Sequence, residues 1–390
     1  MLKKKIIAGG SLAGLALAIV MGVSILTGAT PVPQSYKLIT DEVWNWLVGQ
    51  VSHPMVVRAY TLPTEPGDDA GKKISRAIAM LPAGVGGYVD ATGFTNPQNL
   101  SGFTIPPGVT VELSPAFYTI PCGQPITVNQ GGSFKGTARN SPGSTTLKLF
   151  NNCNHPMVKL ISTAGVGQWW HHGELGNMRF SGNKQNNTSG NCVEVYGLAE
   201  TSWIHHLSIN DCAASGIYFN GSHSGTGTTQ NVTVNSNVVA GIHIDDFKSA
   251  LSFWGVGGDQ NPVTALITNP NNGGGSIYVL DFKSEKNIPG PAVRIEPGSA
   301  PVTFTIAGGN SLNSGAASTT LVEIANTGNA TSHPVVNING HISGLNYPTI
   351  IDDQKAGVQV TSDPVTYFGF LSYTNGKHVR FDKNGFTQVP

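Results

Sequence analysis

Charge is scarce in this 390-residue chain. Lys, Arg, Asp and Glu together make up 11% of it, against roughly 25% in an ordinary soluble domain. Basic and acidic residues balance at 22 each, so the formal net charge is zero. That balance gives neither nucleic acid nor an anionic membrane surface an electrostatic hold. Cysteine is scarce too: four residues, none in C-x-x-C spacing, which leaves a structural zinc site unsupported. Glycine, by contrast, is abundant at 49 residues. It and asparagine tolerate the left-handed backbone of tight corners, and buried asparagines can bond from one chain turn to the next.

The pattern that uses those corners is a repeat. Cys192–Gly197 reads C-V-E-V-Y-G, Gly216–Gly221 reads G-I-Y-F-N-G, and Gly241–Asp246 reads G-I-H-I-D-D. Val193, Ile217 and Ile242 form one apolar column, and Val195, Phe219 and Ile244 form the next, at intervals of 24 and 25 residues. Alternation with period two marks a strand with one buried face, and a fixed interval of this size marks stacked repeats. A preceding strand keeps the same register in Met178 and Phe180, Leu207 and Ile209, and Val232 and Val234. Val293 and Ile295 continue the columns two turns on, with 251–257 and 263–269 as the turn between. Val322 and Ile324 follow, then Ile350 as a looser match. The connections are too short for helical crossovers. The reading is therefore all-β: a single-stranded parallel β-helix, or β-solenoid, preferred over an antiparallel sandwich because the same inward and outward classes recur in every repeat.

The N-terminus reads as a targeting segment. Lys3, Lys4 and Lys5 precede an uncharged apolar run from Ile6 to Ala29. A secretory signal ending near Ala29 and an uncleaved membrane anchor both fit, because the run is long enough to span a bilayer. Either places the body outside the cytoplasm, secreted, periplasmic or tethered. The expected divisions are 1–30 as signal or anchor, 31–62 as a linker with a short helix, 63–362 as the coil, and 363–390 as C-terminal strands with hairpin character around Thr374-Asn375-Gly376. In an exported chain the cysteines can pair. Cys122 and Cys153, near one turn apart, are the better candidates; Cys192 and Cys212 fit a second disulfide or stacked buried thiols equally well.

Ahead of the coil, Asp68 or Asp69 suits an N-cap for a helix over 72–81, with Ile74, Ile78 and Leu81 on one face and Pro82 at its stop. Such a helix would cover the first open edge of the coil. Gly86–Gly93 then reads G-G-Y-V-D-A-T-G, and Ile105–Leu113 reads I-P-P-G-V-T-V-E-L. Helix, G-G-x-V-D-A-x-G and I-P-x-G-V-T-x-x-L together resemble the start of the pectate-lyase superfamily domain. That grouping of right-handed parallel β-helices also holds rhamnogalacturonase-like and epimerase-like proteins and many phage tailspikes. The resemblance implies a right-handed coil with an N-terminal helical cap, and a polysaccharide partner. It implies no single chemistry, since the superfamily contains lyases, hydrolases, epimerases and binding modules. Trimers occur among the tailspikes.

Chemistry would sit on the outward residues between the buried columns. Adjacent turns place equivalent residues about 4.8 Å apart. Glu194, Tyr218 and His243 then form one outward column, beside Tyr196, Asn220 and Asp245. Arg294 and Glu296 lie two turns below in the same two columns. Acids, histidine, arginine and tyrosine on one flat face suit an extended sugar chain. Asp245-Asp246 could divide acid and base roles between two carboxyls, and matches the D-D pair of polygalacturonase-type hydrolases. Their N-x-D, G-H-G and R-x-K elements have no counterpart. The alternative is β-elimination with Tyr218 as acid and His243 as base, and with Arg294, or a calcium ion on Asp245, Asp246 and Glu296, holding a uronate carboxylate. Trp169 and Trp170 are candidates for a sugar platform. His205 is expected at a corner and His206 on the exposed side of its strand, with no carboxylate at ligand spacing to make a metal site. The loop 184–190 is a candidate wall for the groove. The leading expectation is a polysaccharide lyase or glycoside hydrolase acting on a uronate-containing glycan; the alternative is a non-catalytic, tailspike-like glycan-binding module.

Overall fold

The structure, a computed structural model, describes residues 55–362, 378–382 and 385–389, apart from residues 96, 140–142, 164–168, 222–226, 248, 269–273, 286–287, 313–319, 328–331, 333, 344–348 and 355–358. The basic and apolar N-terminal segment, most of the linker, and the Thr374-Asn375-Gly376 turn lie outside the described residues. Among the described residues no helix is long and apolar enough to cross a membrane.

Strands stack into two long sheets, one of fifteen strands and one of twelve. Apart from the C-terminal end of the twelve-stranded sheet, pairings along both are parallel. In the twelve-stranded sheet Val193 pairs with Ile217 and Ile217 with Ile242, as the repeat requires. The turn between Ile242 and Val293 is supplied by Val263–Thr268, with Ala265 opposite both. In the other sheet Met178, Leu207 and Val232 stack, as do Phe180, Ile209 and Val234. All of these apolar residues are buried in one continuous core. The chain is a parallel β-solenoid.

One column required correction. Val322 pairs with Ile351, not with Ile350, and Ile351 is buried. The interval from Val293 to Val322 is simply repeated. Only at the C-terminal end does the pattern change, where His378–Asp382 pairs antiparallel with Thr349–Asp353 and with Gly385–Val389.

The single described α-helix, α1 (Ala70–Ala79), packs against the opening strands Val56–Arg58, Gly87–Ala91 and Gln98–Asn99. Asp69 is its N-cap, accepting from the Lys72 amide at 2.9 Å and from the Ser101 hydroxyl at 2.8 Å. The cap thus ties the helix to the corner at Ser101. There a Cβ on Gly71 would lie 2.1 Å from the Ser101 carbonyl oxygen, so the close approach requires glycine. Asp68 instead takes both arms of Arg76, at 2.8 and 2.7 Å. This guanidinium holds its carboxyl below the ordinary value. Ile74 and Ala77 are fully buried.

Corners follow the composition. Asn177, His206, Asn231, Gly255, Asp281 and Gly308 all have φ between 51 and 68°, and they fall at one register position in six successive strands of the fifteen-stranded sheet. One left-handed residue bends each strand there. At another corner a buried asparagine ladder runs between turns: Asn237 accepts from the Cys212 amide and Asn261 from the Asn237 amide, both at 3.0 Å. Two disulfides, Cys122–Cys153 and Cys192–Cys212, are present, with Cα separations of 4.6 and 5.6 Å.

Candidate functional site

The outward ladder lies on the twelve-stranded sheet. Glu194, Tyr218 and His243 pair in sequence, and so do Tyr196, Asn220 and Asp245. Because each is flanked by buried residues, the pleat turns all six outward. One turn further the face changes. Leu266 follows His243 in its column and Thr268 follows Asp245, and both are buried. Arg294 then follows Leu266, and Glu323 follows Arg294. An unbroken polar face from Glu194 to Glu296 is therefore not what forms: an apolar residue interrupts it below His243.

The ladder residues bond to one another both along a strand and between turns. Tyr196 donates to Glu194 at 2.8 Å, and Lys159 lies 3.6 Å from the same carboxylate. Tyr218 donates to Asp245 at 2.7 Å and accepts from the Asn220 amide at 3.1 Å. Thr268 donates to the other Asp245 oxygen at 2.7 Å, and His243 Nε2 lies 2.9 Å from the Thr268 hydroxyl. The Tyr218 and His243 rings meet edge to face at 5.0 Å. His243, Thr268, Asp245, Tyr218 and Asn220 thus form one connected string across three turns.

Burial and charge set the protonation states along that string. Burial is the main cause pushing the Tyr218 hydroxyl up to about 12, followed by its bond to Asp245. Tyr196 shifts the same way, again by burial first and Glu194 second. Burial also lowers His243 below its ordinary 6.5, against the smaller pull of Asp245 and Glu296. Folding therefore favours the neutral imidazole. Stability from this group is complete above 6.5 and is lost as pH falls below it, where the unfolded chain binds the extra proton. Tyr218 enters near-neutral solution protonated and His243 unprotonated, an acid and a base one strand spacing apart.

Arg294 is engaged on two sides, 3.0 Å from Glu296 and 3.0 Å from Glu323. Glu323 is raised above the ordinary carboxyl value by burial, with Arg294 opposing. The acidic pair separates: Asp245 ends its strand and stands in the ladder, while Asp246 turns the corner with φ 45°. A left-handed residue there ends the alternation of the strand. Asp245, Asp246 and Glu296 do not assemble as calcium ligands; among the described residues no group of three or more His, Cys, Asp or Glu is placed to hold a metal.

The two tryptophans differ in burial. Trp169 is exposed, but Trp170 is fully buried. Its indole donates to the Asn129 carbonyl at 3.2 Å, and it bridges to Leu198 at the margin of the core. A buried ring cannot meet a sugar. The loop 184–190 is fastened down: the Asn187 side chain is buried, accepts from the Cys153 amide at 2.8 Å and donates to the Phe150 carbonyl at 3.0 Å. Asn187, which opens an Asn187-Thr188-Ser189 triplet of the N-x-S/T kind, therefore spends its amide inside the fold.

The histidine pair is the reverse of the expected arrangement. His206 occupies the left-handed bend, whereas His205 lies on the strand, 4% exposed and stacked on Trp203 at 3.7 Å. The bend resets the inward and outward alternation, which shifted the assignment by one residue. A carboxylate does accompany His205: Glu174, one turn earlier, lies 2.9 Å from its Nε2. That bond, with Lys135 nearby, holds the Glu174 carboxyl below its ordinary value. The ring reaches Glu174 across Gly176, where a Cβ would lie 2.4 Å from the imidazole.

Thr268 and Leu266 are the residues that sequence reasoning missed. The signal was present in the interval, since Thr268 falls one repeat after Asp245, but V-T-A-L-I-T does not alternate and gives no outward face.

No protein-family model and no curated protein matches the sequence significantly. Solved structures overlap with it in fold. ORF18 of Geobacillus virus E2 is 12% identical, over 87% of this chain and 68% of that one, with a TM-score of 0.45. The A-module of mannuronan C-5 epimerase AlgE4 from Azotobacter vinelandii is 13% identical, over 82% and 100%, at 0.38. PfbA, a surface adhesin of Streptococcus pneumoniae, is 11% identical, over 86% and 98%, at 0.42. At such identities the likeness is one of fold alone. The strand pairing itself carries the conclusion: by fold the chain is a parallel β-solenoid.

Proposed function

We propose that the chain is an exported solenoid that binds an extended extracellular polysaccharide along the outward ladder and cleaves it at Tyr218 and His243. The observation that carries this reading is their pairing: a neutral imidazole and a protonated phenol meet at 5.0 Å on one face. β-Elimination needs such a pair. The imidazole takes the C5 proton of a uronate unit, that electron pair forms the C4–C5 double bond, and the C4–O bond breaks. Tyr218 gives its proton to the leaving oxygen, and Asp245 holds the phenol in place. Arg294 would meet the uronate carboxylate by exchanging one of its two carboxylates. Glu323, whose burial already disfavours its charge, is the one to yield. Glu194, Tyr196, Asn220 and Glu296 would take sugar hydroxyls. Trp169 would be a stacking surface beside the ladder.

A second reading, a non-catalytic glycan-binding module, draws on the same network. Arg294 and Tyr218 are each already bonded within the ladder, and a face satisfied by itself can grip a glycan without reacting. Incubation with polyuronates and neutral polysaccharides, read both by the absorbance of unsaturated uronate and by reducing ends, separates the readings. Elimination gives both signals with polyuronate only, and His243→Ala lowers the rate by ~10²–10⁴-fold. Reducing ends without unsaturation indicate hydrolysis. Neither signal from a protein that still binds glycan leaves the module reading.

A further inference from the structure

We propose that Thr268 is a positioning residue that fixes His243 as its Nε2–H tautomer and so presents Nδ1 as the proton-accepting nitrogen. The argument is one of counting protons. Thr268 has one hydroxyl proton, and it is directed at Asp245 Oδ1, 2.7 Å away. Given to that carboxylate oxygen, the proton cannot also serve His243. Yet His243 Nε2 lies 2.9 Å from the same hydroxyl oxygen. The remaining way to make that bond is for Nε2 to donate. A neutral imidazole carries one proton, so Nδ1 bears the lone pair, and no hydrogen bond to Nδ1 occurs among the described residues.

Register explains why Thr268 fills this place. Asp245 and Thr268 are directly paired at the ends of adjacent strands. His243, two residues before Asp245, therefore reaches Thr268 along the diagonal, while Leu266 lies directly beneath its own position. Tyr218 bounds the ring on the other side, edge to face. Turning the ring over would set a carbon where Nε2 now meets the hydroxyl. Orientation and tautomer are thus fixed together, which is the service a carboxylate renders to the base in other acid–base pairs. Here a threonine passes the influence of Asp245 on to the imidazole.

The identification of Nδ1 as the catalytic base rests on the elimination reading above; the tautomer does not, and the test keeps them apart. Long-range ¹H–¹⁵N spectra of the uniformly labelled full chain near neutral pH distinguish the two ring nitrogens of a histidine by their shifts, with His243→Gln identifying the signals by their loss. The wild type is expected to show Nε2 protonated and Nδ1 bare. Thr268→Ser keeps that pattern. Thr268→Val replaces it with two exchanging tautomers and, where turnover is found, lowers kcat while leaving KM in place. A wild-type Nδ1–H tautomer, or an unchanged pattern in Thr268→Val, overturns the proposal. The wild-type spectrum alone decides the tautomer, even if the valine variant fails to fold. Absence of glycan turnover with the expected spectra removes the elimination reading and leaves the positioning role standing.

Discussion

Truncating Phe219 to alanine destabilises the coil by about 3–5 kcal/mol, the range for removing a large aromatic ring from a packed core. Phe219 is 1% exposed and stands between Val195 and Ile244 in the inner column. Its ring also meets Phe253 of the other sheet edge to face at 5.6 Å, so its loss opens a cavity between the two sheets as well as along the column. In a stacked architecture each turn is stabilised chiefly by its neighbours. The damage should therefore centre on the turns around 217–220 and reach the Tyr218 hydroxyl bond in the same strand. Urea unfolding, with hydrogen exchange to locate the loss, checks both magnitude and place. Tyr218→Phe, which keeps the ring and removes only an outward hydroxyl, serves as the contrast and is expected to cost far less.

Removing the Cys192–Cys212 disulfide as a double alanine variant lowers stability by about 3 kcal/mol, as expected for closing a loop of this size in the unfolded chain. The cysteines are 20 residues apart, and both are buried. Alanine is the suitable replacement, because a serine hydroxyl there would need a partner inside the core. Cys212 occupies the place next to Asn237 in the corner ladder, and its amide donates to Asn237 Oδ1. That hydrogen bond comes from the backbone and survives the substitution, so the loss should reflect the missing crosslink and the lost sulfur contacts. A fall in urea midpoint is the expected signature, with a somewhat steeper slope because the unlinked unfolded chain exposes more surface. No change in midpoint would mean that the corner is held by the asparagines alone.

The inner columns were legible because alternation survives in Val193–Tyr196, Ile217–Asn220 and Ile242–Asp245, where every second residue is branched or aromatic. Legibility fails where alternation fails. Two adjacent isoleucines at 350 and 351 offer either register, and only the pairing with Val322 decides. Two adjacent tryptophans pose the same problem: Trp169 is exposed and Trp170 is buried. His205 and His206 were exchanged because one left-handed residue resets the alternation within a strand, and period two cannot reveal such a bend. Thr268 was hidden in a strand whose residues are all buried. Of the two ion pairs that close on Arg294, one is with Glu296, two residues further along the chain, and the other is with Glu323, directly paired on the next strand but 29 residues on in sequence. Columns are written in the chain; how their members bond between turns is set by side-chain reach.

Parallel stacking carries Tyr218, His243 and Asp245 to one outer face, and that face is where a saccharide chain should lie. Affinity electrophoresis in gels cast with individual polysaccharides tests this directly, comparing the wild type with Tyr218→Ala/His243→Ala, a variant whose changes are confined to outward positions. The wild type should be retarded by at least one polyuronate, and the variant, with an unchanged circular dichroism spectrum, should run as it does in an empty gel. Equal retardation of the two proteins, or free migration of the wild type in every gel, would contradict the account.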